Sequence, residues 1–251
     1  MTSRFFVDAK LKSGTMAFEG AEFHHMIRVT RHQVGDTVRL FDGAGKEADA
    51  LIEFTSRHSA TMKVGKIETI PEEEGPKLIL AVAMPKATRG TTLVEKAVEL
   101  GVSKIVPIRT ARGIVDPRRS KLDNFRQNVI AASKQCGRSR LMEVTDTLDW
   151  ADFVSQYVAR EQTLLAHPGG VPFKEGLVSE LVGSNGGRGK KKNASPTIVV
   201  AIGPEGGFTV EEISQAATRG GRLVSLGPRI LRVETAAIMA ASVFTAALME
   251  S

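Results

Sequence analysis

The residues best suited to chemistry lie in two glycine-proline segments near the C-terminus. The first is Ile202-Gly203-Pro204-Glu205-Gly206-Gly207-Phe208; the second runs Leu226-Gly227-Pro228-Arg229-Ile230-Leu231-Arg232-Val233-Glu234-Thr235-Ala236. Each follows a strand-like run, TIVVAI and RLVS, and each precedes a helix-like one. Glycine lets backbone approach a ligand closely and present its amides. In an open α/β sheet, ligands bind at the carboxyl ends of parallel strands, where both segments fall. The first fits neither G-x-G-x-x-G nor the P-loop pattern, since no lysine follows its glycines, which argues against nucleoside-triphosphate chemistry of the P-loop kind. A tight structural turn would use the same residues. Two such loops separated by one helix should lie side by side and wall a pocket, with Ile230 and Leu231 offering apolar cover for a flat base. Arg232 and Glu234 are the ionisable groups at its mouth; the alternative is that they pair at a helix start, where a carboxylate complements the dipole.

Other reactive side chains carry weaker signals. His24, His25 and His32 lack the cysteine or carboxylate spacing of a zinc site, so no metal is expected. His167, at a strand end in LLAHPGG, stands where a ligand could sit, and a structural histidine reads equally well there. The single cysteine, Cys136, lies on an apolar helix stripe with Leu122, Phe125 and Val129 and reads as a core residue.

Charge is unevenly spread. The chain carries a formal +6 over 251 residues. The segment from Lys104 to Arg140 alone holds ten basic side chains against Asp116 and Asp123. A solvated helix face is one reading. A phosphate-contacting surface is the other, favoured here because the arginines fall in loops and at element ends as well as within one helix. The candidates for RNA contact are Arg109, Arg112, Arg118, Arg119, Arg138 and Arg140. A second basic run, Arg188 to Lys192, sits in a glycine-rich stretch that reads as a surface loop.

These groups need elements to hold them. The first 70 residues are β-rich (RFFVDA, TVRLFDG, EADALIEFTS, ATMKVGKIETI), with a helical piece, AEFHHMIRVTR, between the first two strands. PEEEGP then marks a boundary, giving domains at 1–72 and 76–251. Beyond it, strands such as LILAVAM, SKIVPIRT, TLLAHP and TIVVAIG alternate with helices, the pattern of a parallel sheet covered on both faces. Capping boxes are expected at Thr92-x-x-Glu95 and Thr209-x-x-Glu212. The last helix, ETAAIMAASVFTAALME, is uncharged between Glu234 and Glu250, so it is expected to be central to the fold, to pack in a homodimer, or both. Its uncharged run is too short to span a bilayer and no signal peptide is evident, so a soluble, cytoplasmic protein without membrane association is expected.

LFDGAG, VEKAVELGVSKIVPIRTARG, KQCGRSR, IGPEGGFTVEE and LGPRILRVETAA occur in the order and spacing of one family. The chain resembles the RsmE family, the 16S ribosomal RNA (uracil-N3)-methyltransferases of the SPOUT superfamily. The resemblance covers nearly the whole chain. It implies an α/β protein with a small N-terminal PUA-like RNA-binding β-barrel and a C-terminal SPOUT domain containing a deep trefoil knot. It also implies S-adenosyl-L-methionine as cofactor, small-subunit rRNA or the assembled 30S subunit as partner, and a homodimer. By motif, Leu165, His167, Ile202, Gly203, Pro204, Glu205, Gly206, Leu226, Gly227 and Leu231 would hold the cofactor, with Arg232 and Glu234 catalytic. Related SPOUT activities on ribose 2′-hydroxyls or tRNA bases, and a non-catalytic ribosome assembly factor, are the alternatives. Two positions depart from the family pattern: Val233 stands where Thr or Ser is frequent, and Lys134 where Glu is frequent.

Overall fold

The structure is a computed structural model that describes residues 3–72, 74–86, 88–114, 119–177 and 196–249. The chain divides into two compact units, Met1–Glu73 with Ile130–Leu141, and Glu74–Val129 with Met142–Ser251.

The first unit is built on a six-stranded sheet. Its strands are β1 (Arg4–Phe6), β2 (Gly14–Glu19), β3 (Thr37–Phe41), β4 (Lys46–Thr55), β5 (Ser59–Val64) and β6 (Glu68–Thr69). The order is β1-β3-β4-β5-β2 with β6 beside β4, and only β1 and β3 run parallel. The β3–β4 hairpin turns through Asp42-Gly43-Ala44-Gly45. The Asp42 carboxylate accepts from the amides of Ala44 and Lys46 at 2.9 and 3.0 Å, and both glycines adopt positive φ. Along β4, Ala48, Ala50 and Ile52 alternate inward until a register shift between Ile52 and Phe54 leaves Phe54 exposed. Helix α1 (Gly20–His24) runs into a π-helical turn over His25–Val29, placing Phe23 and Met26 in the core with Phe5, Phe18, Leu40 and Met62. Sequence reading missed β2: GTMAFE carries only Met16 and Phe18 as large apolar residues, and its pairing with β5 is what makes it a strand.

Residues 130–141 pack into this unit through polar contacts. Glu47, buried, accepts from Arg4 at 2.5 Å, from Arg39 Nε at 3.0 Å and from the Ser139 hydroxyl. Lys134 Nζ lies 2.9 Å from both carboxylate oxygens of Glu22 and 5.3 Å from the centre of the Phe5 ring. The domain boundary drawn at PEEEGP does not foresee this segment, because none of these contacts is local in sequence.

The second unit contains a seven-stranded sheet in which every pairing is parallel. The strands are β7 (Lys77–Val82), β8 (Lys104–Arg109), β9 (Glu143–Val144), β10 (Leu148–Asp149), β11 (Gln162–Pro172), β12 (Thr197–Ile202) and β13 (Arg222–Ser225). The order is β10-β8-β7-β12-β11-β13, with β9 beside β8. Its helices include α2 (Thr88–Glu99), α3 (Arg119–Cys136, whose residues from Ile130 on belong to the first unit), α4 (Trp150–Phe153, continued by a π-helical turn over Val154–Val158), α5 (Val210–Ala217) and α6 (Val233–Met249). Continuous burial along β7, β8 and β12 reflects cover on both faces.

Two local expectations, those for Thr92 and Cys136, are corrected. Helix α2 starts at Thr88, so Thr92 lies a turn inside it and donates to the Thr88 carbonyl at 3.2 Å rather than capping. Cys136 is exposed, because α3 turns its last residues out past Ala132 and Ser133. In α6, Val233, Ala236, Ala237, Ala240, Ala241 and Phe244 form a buried stripe, while the rest of the uncharged surface is partly or fully exposed. The stripe faces α2, β7 and β12, and Thr245 fixes it by donating to the Leu100 carbonyl at 2.8 Å. Among the described residues no helix is long and apolar enough to cross a membrane.

Candidate functional site

The two glycine-proline loops meet at the carboxyl ends of β12, β11 and β13 and enclose a cavity of about 310 Å³. The Ile202–Phe208 loop forms one wall. Its turn is closed by the Gly207 amide donating to the Pro204 carbonyl at 2.8 Å, and Gly207 has φ +68°. Phe208, buried against Trp150 at a ring separation of 5.0 Å, supports it from behind. A Cβ on Gly203 would come within 3.2 Å of the Phe208 ring, so the absence of a side chain lets the loop lie flat on that support.

The opposite wall is the Ser225–Leu231 loop. Ser225 Oγ accepts from the Gly227 amide at 3.3 Å, and Gly227 holds φ +108°, a backbone region closed to most side chains. The third side comes from an excursion in β11. Its ladder with β13 shifts register between Ala166 and Val171, releasing His167-Pro168-Gly169-Gly170 from regular pairing. His167 Nδ1 accepts from the Gly169 amide at 3.1 Å, which assigns the ring proton to Nε2. Ile202, Leu226, Leu231 and Val233 give the cavity apolar surface beside loop backbone.

One buried carboxylate ties a further loop to this frame. Thr209 and Glu212 form the expected capping box of α5, with the Thr209 amide donating to Glu212 Oε2 at 2.8 Å. The other oxygen accepts from the Ala111 amide at 2.7 Å, across the loop that follows β8. Arg112 is thereby placed on the cavity wall, where its Nη1 donates to the Gly206 carbonyl at 2.7 Å.

Most sequence-derived candidates gather here. His167, Ile202, Gly203, Pro204, Glu205, Gly206, Leu226, Gly227 and Leu231 all line the cavity. Leu165 does not: it is fully buried in the sheet, and the next residue, Ala166, faces the cavity instead. Arg232 is exposed and outside the cavity lining; Glu234, largely buried at the start of α6, is also outside it. Arg89, which sequence reading passed over, stands between two carboxylates: Nη1 is 3.1 Å from Glu205 and 3.9 Å from Glu234. No sequence signal marks it, since its partners lie more than a hundred residues away. Among the described residues no group of three or more His, Cys, Asp or Glu could hold a metal ion.

The basic belt is less bare than its composition. Arg109 pairs with Asp149, Lys104 with Glu143, Arg126 with Asp123 and Asp146, and Lys134 with Glu22. Arg140 donates to the carbonyls of Ala44 and Ile70, and the Arg138 carbonyl accepts from Arg4. Arg118, the Arg119 side chain and the Arg188–Lys192 run lie outside the described residues.

A family profile described as an RNA methyltransferase domain matches residues 72–245, and one described as an RNA methyltransferase PUA domain matches residues 18–65. A ribosomal RNA small subunit methyltransferase E from a Synechocystis species is 33% identical over 239 residues, spanning 94% of this chain and 74% of the relative. The chain belongs to the ribosomal RNA small subunit methyltransferase E family. The Bacillus subtilis family member is 27% identical over 91% of this chain and 88% of its own. The solved family member from Neisseria gonorrhoeae, bound to S-adenosyl methionine, superposes with TM-score 0.81 at 26% identity, covering 98% of both chains. A methyltransferase from Legionella pneumophila in complex with the same cofactor gives TM-score 0.84 at 28% identity, again covering 98% of both chains. The two departures from the family pattern now have positions. Val233 is buried and lines the cavity, and Lys134 is the ion-pair partner of Glu22.

Proposed function

We propose that this protein methylates N3 of a specific uridine in small-subunit (16S) rRNA, using S-adenosyl-L-methionine bound between the two glycine-proline loops. The observation that carries the reading is the cavity itself: loop backbone from Gly203, Gly206 and Gly227, apolar walls and one histidine, at the carboxyl end of a parallel sheet. That lining fits an adenosine with a short amino-acid tail, offering amides and carbonyls to polar edges and aliphatic faces to the purine. When bound, the cofactor supplies an electrophilic methyl group on a sulfonium.

The residues of the chain have the remaining tasks. Rigid loop backbone holds donor and acceptor in line. N3 of uracil carries a proton and is a poor nucleophile until it is lost, so a carboxylate base and a cation for the resulting anion are needed. Glu234 is the base in this reading, and Arg232, unencumbered on the surface, reaches the substrate. Leu165 supports His167 from within the sheet. A base paired through N3 must be extruded or already unpaired. RNA phosphates meet Arg112, Arg119 and Arg138, while the N-terminal unit acts as the PUA-like RNA-binding barrel.

Three finer features belong to the same reading. After β13, at one edge of the sheet, the chain returns to seat α6 against β7, β12 and α2, a route in keeping with a deep trefoil knot. The uncharged half-exposed surface of α6 supports pairing into a homodimer. The substrate is rRNA or the 30S particle in the cytoplasm.

Three measurements test this. Calorimetry should register S-adenosylmethionine binding, and no binding at millimolar cofactor would sink the enzyme reading. Nucleoside mapping of rRNA from a deletion strain should lose one N3-methyluridine; its persistence at full level would remove the substrate. Arg232→Ala should keep cofactor binding and lose transfer, and wild-type turnover would take Arg232 out of the chemistry.

A further inference from the structure

A second cavity of about 240 Å³ lies between the start of α2, the loop after β8 and the Pro204-Glu205 turn. Met84, Lys86, Arg89 and Ile114 line it, and Pro204 and Glu205 line both this cavity and the first. A methyl acceptor must approach the donor closely without occupying the donor's pocket, and two adjoining cavities that share Pro204 and Glu205 in their linings offer that arrangement.

Arg89 and Glu205 line this second cavity; Glu234 lines neither cavity and stands next to Arg89, and the three are incompletely paired. Arg89 Nη1 donates to Glu205 Oε1 at 3.1 Å and is 3.9 Å from Glu234 Oε2. Glu234 Oε2 is buried and has no hydrogen-bond partner. A buried carboxylate oxygen without a donor is costly, and an incoming donor relieves that cost. Arg89 and Glu205 are both substantially solvent-exposed, 38% and 51%, so their pair can part and leave Glu205 hydrated.

We infer that this second cavity receives the acceptor uracil, with Arg89 donating to a carbonyl oxygen and Glu234 accepting from N3–H. The inference rests on the methyl-transfer reading and says where its acceptor sits. The Watson–Crick edge of uracil offers acceptor, donor, acceptor in sequence, which matches a guanidinium beside a carboxylate. Cytosine presents a bare N3 lone pair to the carboxylate and is rejected. In the transfer, N3 gives its proton to Glu234 and its electron pair to the methyl carbon as the carbon–sulfur bond breaks. The sulfonium becomes a neutral thioether, and Glu234 passes the proton to water. Charge developing on the uracil oxygens during proton loss is held by Arg89.

The test compares the full-length wild type with Arg89→Gln and Arg89→Lys on 30S subunits from a deletion strain, prepared with uridine or with 5-fluorouridine in the rRNA. Fluorine makes N3–H more acidic, so the anion needs less help. Arg89→Gln should bind S-adenosylhomocysteine as the wild type does, bind subunits more weakly in its presence, and lose on the order of 10²-fold in single-turnover rate. That loss should shrink on 5-fluorouridine subunits, and Arg89→Lys should recover part of it. A wild-type rate for Arg89→Gln, or an equal loss on both substrates, overturns the inference while the methyl-transfer reading stands. Absence of N3-methyluridine with the wild-type protein overturns both.

Discussion

Glu212 and Ala111, a hundred and one positions apart, are joined by a 2.7 Å hydrogen bond from the Ala111 amide to the buried Glu212 carboxylate. The same carboxylate closes the α5 capping box through the Thr209 amide. One side chain thus fixes the start of a helix and the loop that carries Arg112 to the Gly206 carbonyl. A glycine-rich wall gains rigidity from outside its own sequence in this way.

Glu212→Gln isolates that role. Glutamine has the same shape but only one acceptor end, so its amide NH₂ must face one of the two backbone donors. The expected cost is about 1.5–3 kcal/mol, the range for hydrogen bonds to a charged group. Urea unfolding reads the loss, and calorimetry should show weaker cofactor binding in the folded variant. Glu211→Gln, exposed on the same turn, gives up only solvent-exposed contacts with its own amide, Thr209 and Arg112, and should cost clearly less on both measures. Equal behaviour of the two variants would show that the bridge does not matter.

Gly170→Ala tests the excursion that carries His167. A Cβ there would lie 2.3 Å from the Val224 amide nitrogen, against strand backbone that cannot yield without parting β11 from β13. Overpacking of this kind costs about 1–3 kcal/mol or more. Gly169→Ala places its Cβ 3.4 Å from the His167 ring, an ordinary contact. Hydrogen exchange should therefore show β13 losing protection in Gly170→Ala and keeping it in Gly169→Ala. The opposite order would refute the packing account.

What the sequence revealed divides along the range of the forces involved. The Thr209-x-x-Glu212 box, the buried run of β12 and the two glycine-proline loops are legible because each is decided by neighbours in the chain. Their meeting at one cavity follows from the parallel sheet. Composition over Lys104–Arg140 overstated the free positive charge, because Glu22, Glu143, Asp146 and Asp149 neutralise the belt from outside the window. Strand β2 and the place of Arg89 were illegible for the same reason: each is fixed by partners distant in sequence. Cys136 misled because the apolar period of α3 ends before the helix does.

Acid sensitivity of the N-terminal unit should trace to Glu47. Its burial alone would push its pKa up, but hydrogen bonds from Ser139, Arg4 and Arg39 outweigh that and hold it below the usual 4.5. A carboxyl whose pKa is depressed by folding contributes stability above its unfolded pKa and loses it as pH falls through the folded value. Stability of the wild type should therefore decline below about pH 4.5. Glu47→Gln should be less stable at neutral pH and show a flatter acid limb in denaturant titrations between pH 3 and pH 7. An unchanged acid limb would place the sensitivity elsewhere.

Lys134 offers a test by exchange. Its ammonium bridges both oxygens of Glu22 at 2.9 Å and lies over the Phe5 ring, with side chains only 15% and 25% exposed. Replacing it with the glutamate that the family pattern favours would set two carboxylates against each other in a poorly solvated place. Lys134→Glu should cost about 2–4 kcal/mol, since the stranded Glu22 charge adds to the lost pair. Glu22→Lys alone opposes two ammonium groups and should cost a similar amount. The double variant Glu22→Lys/Lys134→Glu restores opposite charges across the same gap and should recover most of the loss, so the singles' effects should fail to add by more than 1 kcal/mol or so. Thermal and urea midpoints of the four proteins give the coupling directly. Additive losses would mean that Lys134 is held there by its contact with Phe5 and its aliphatic packing, with the ion pair incidental.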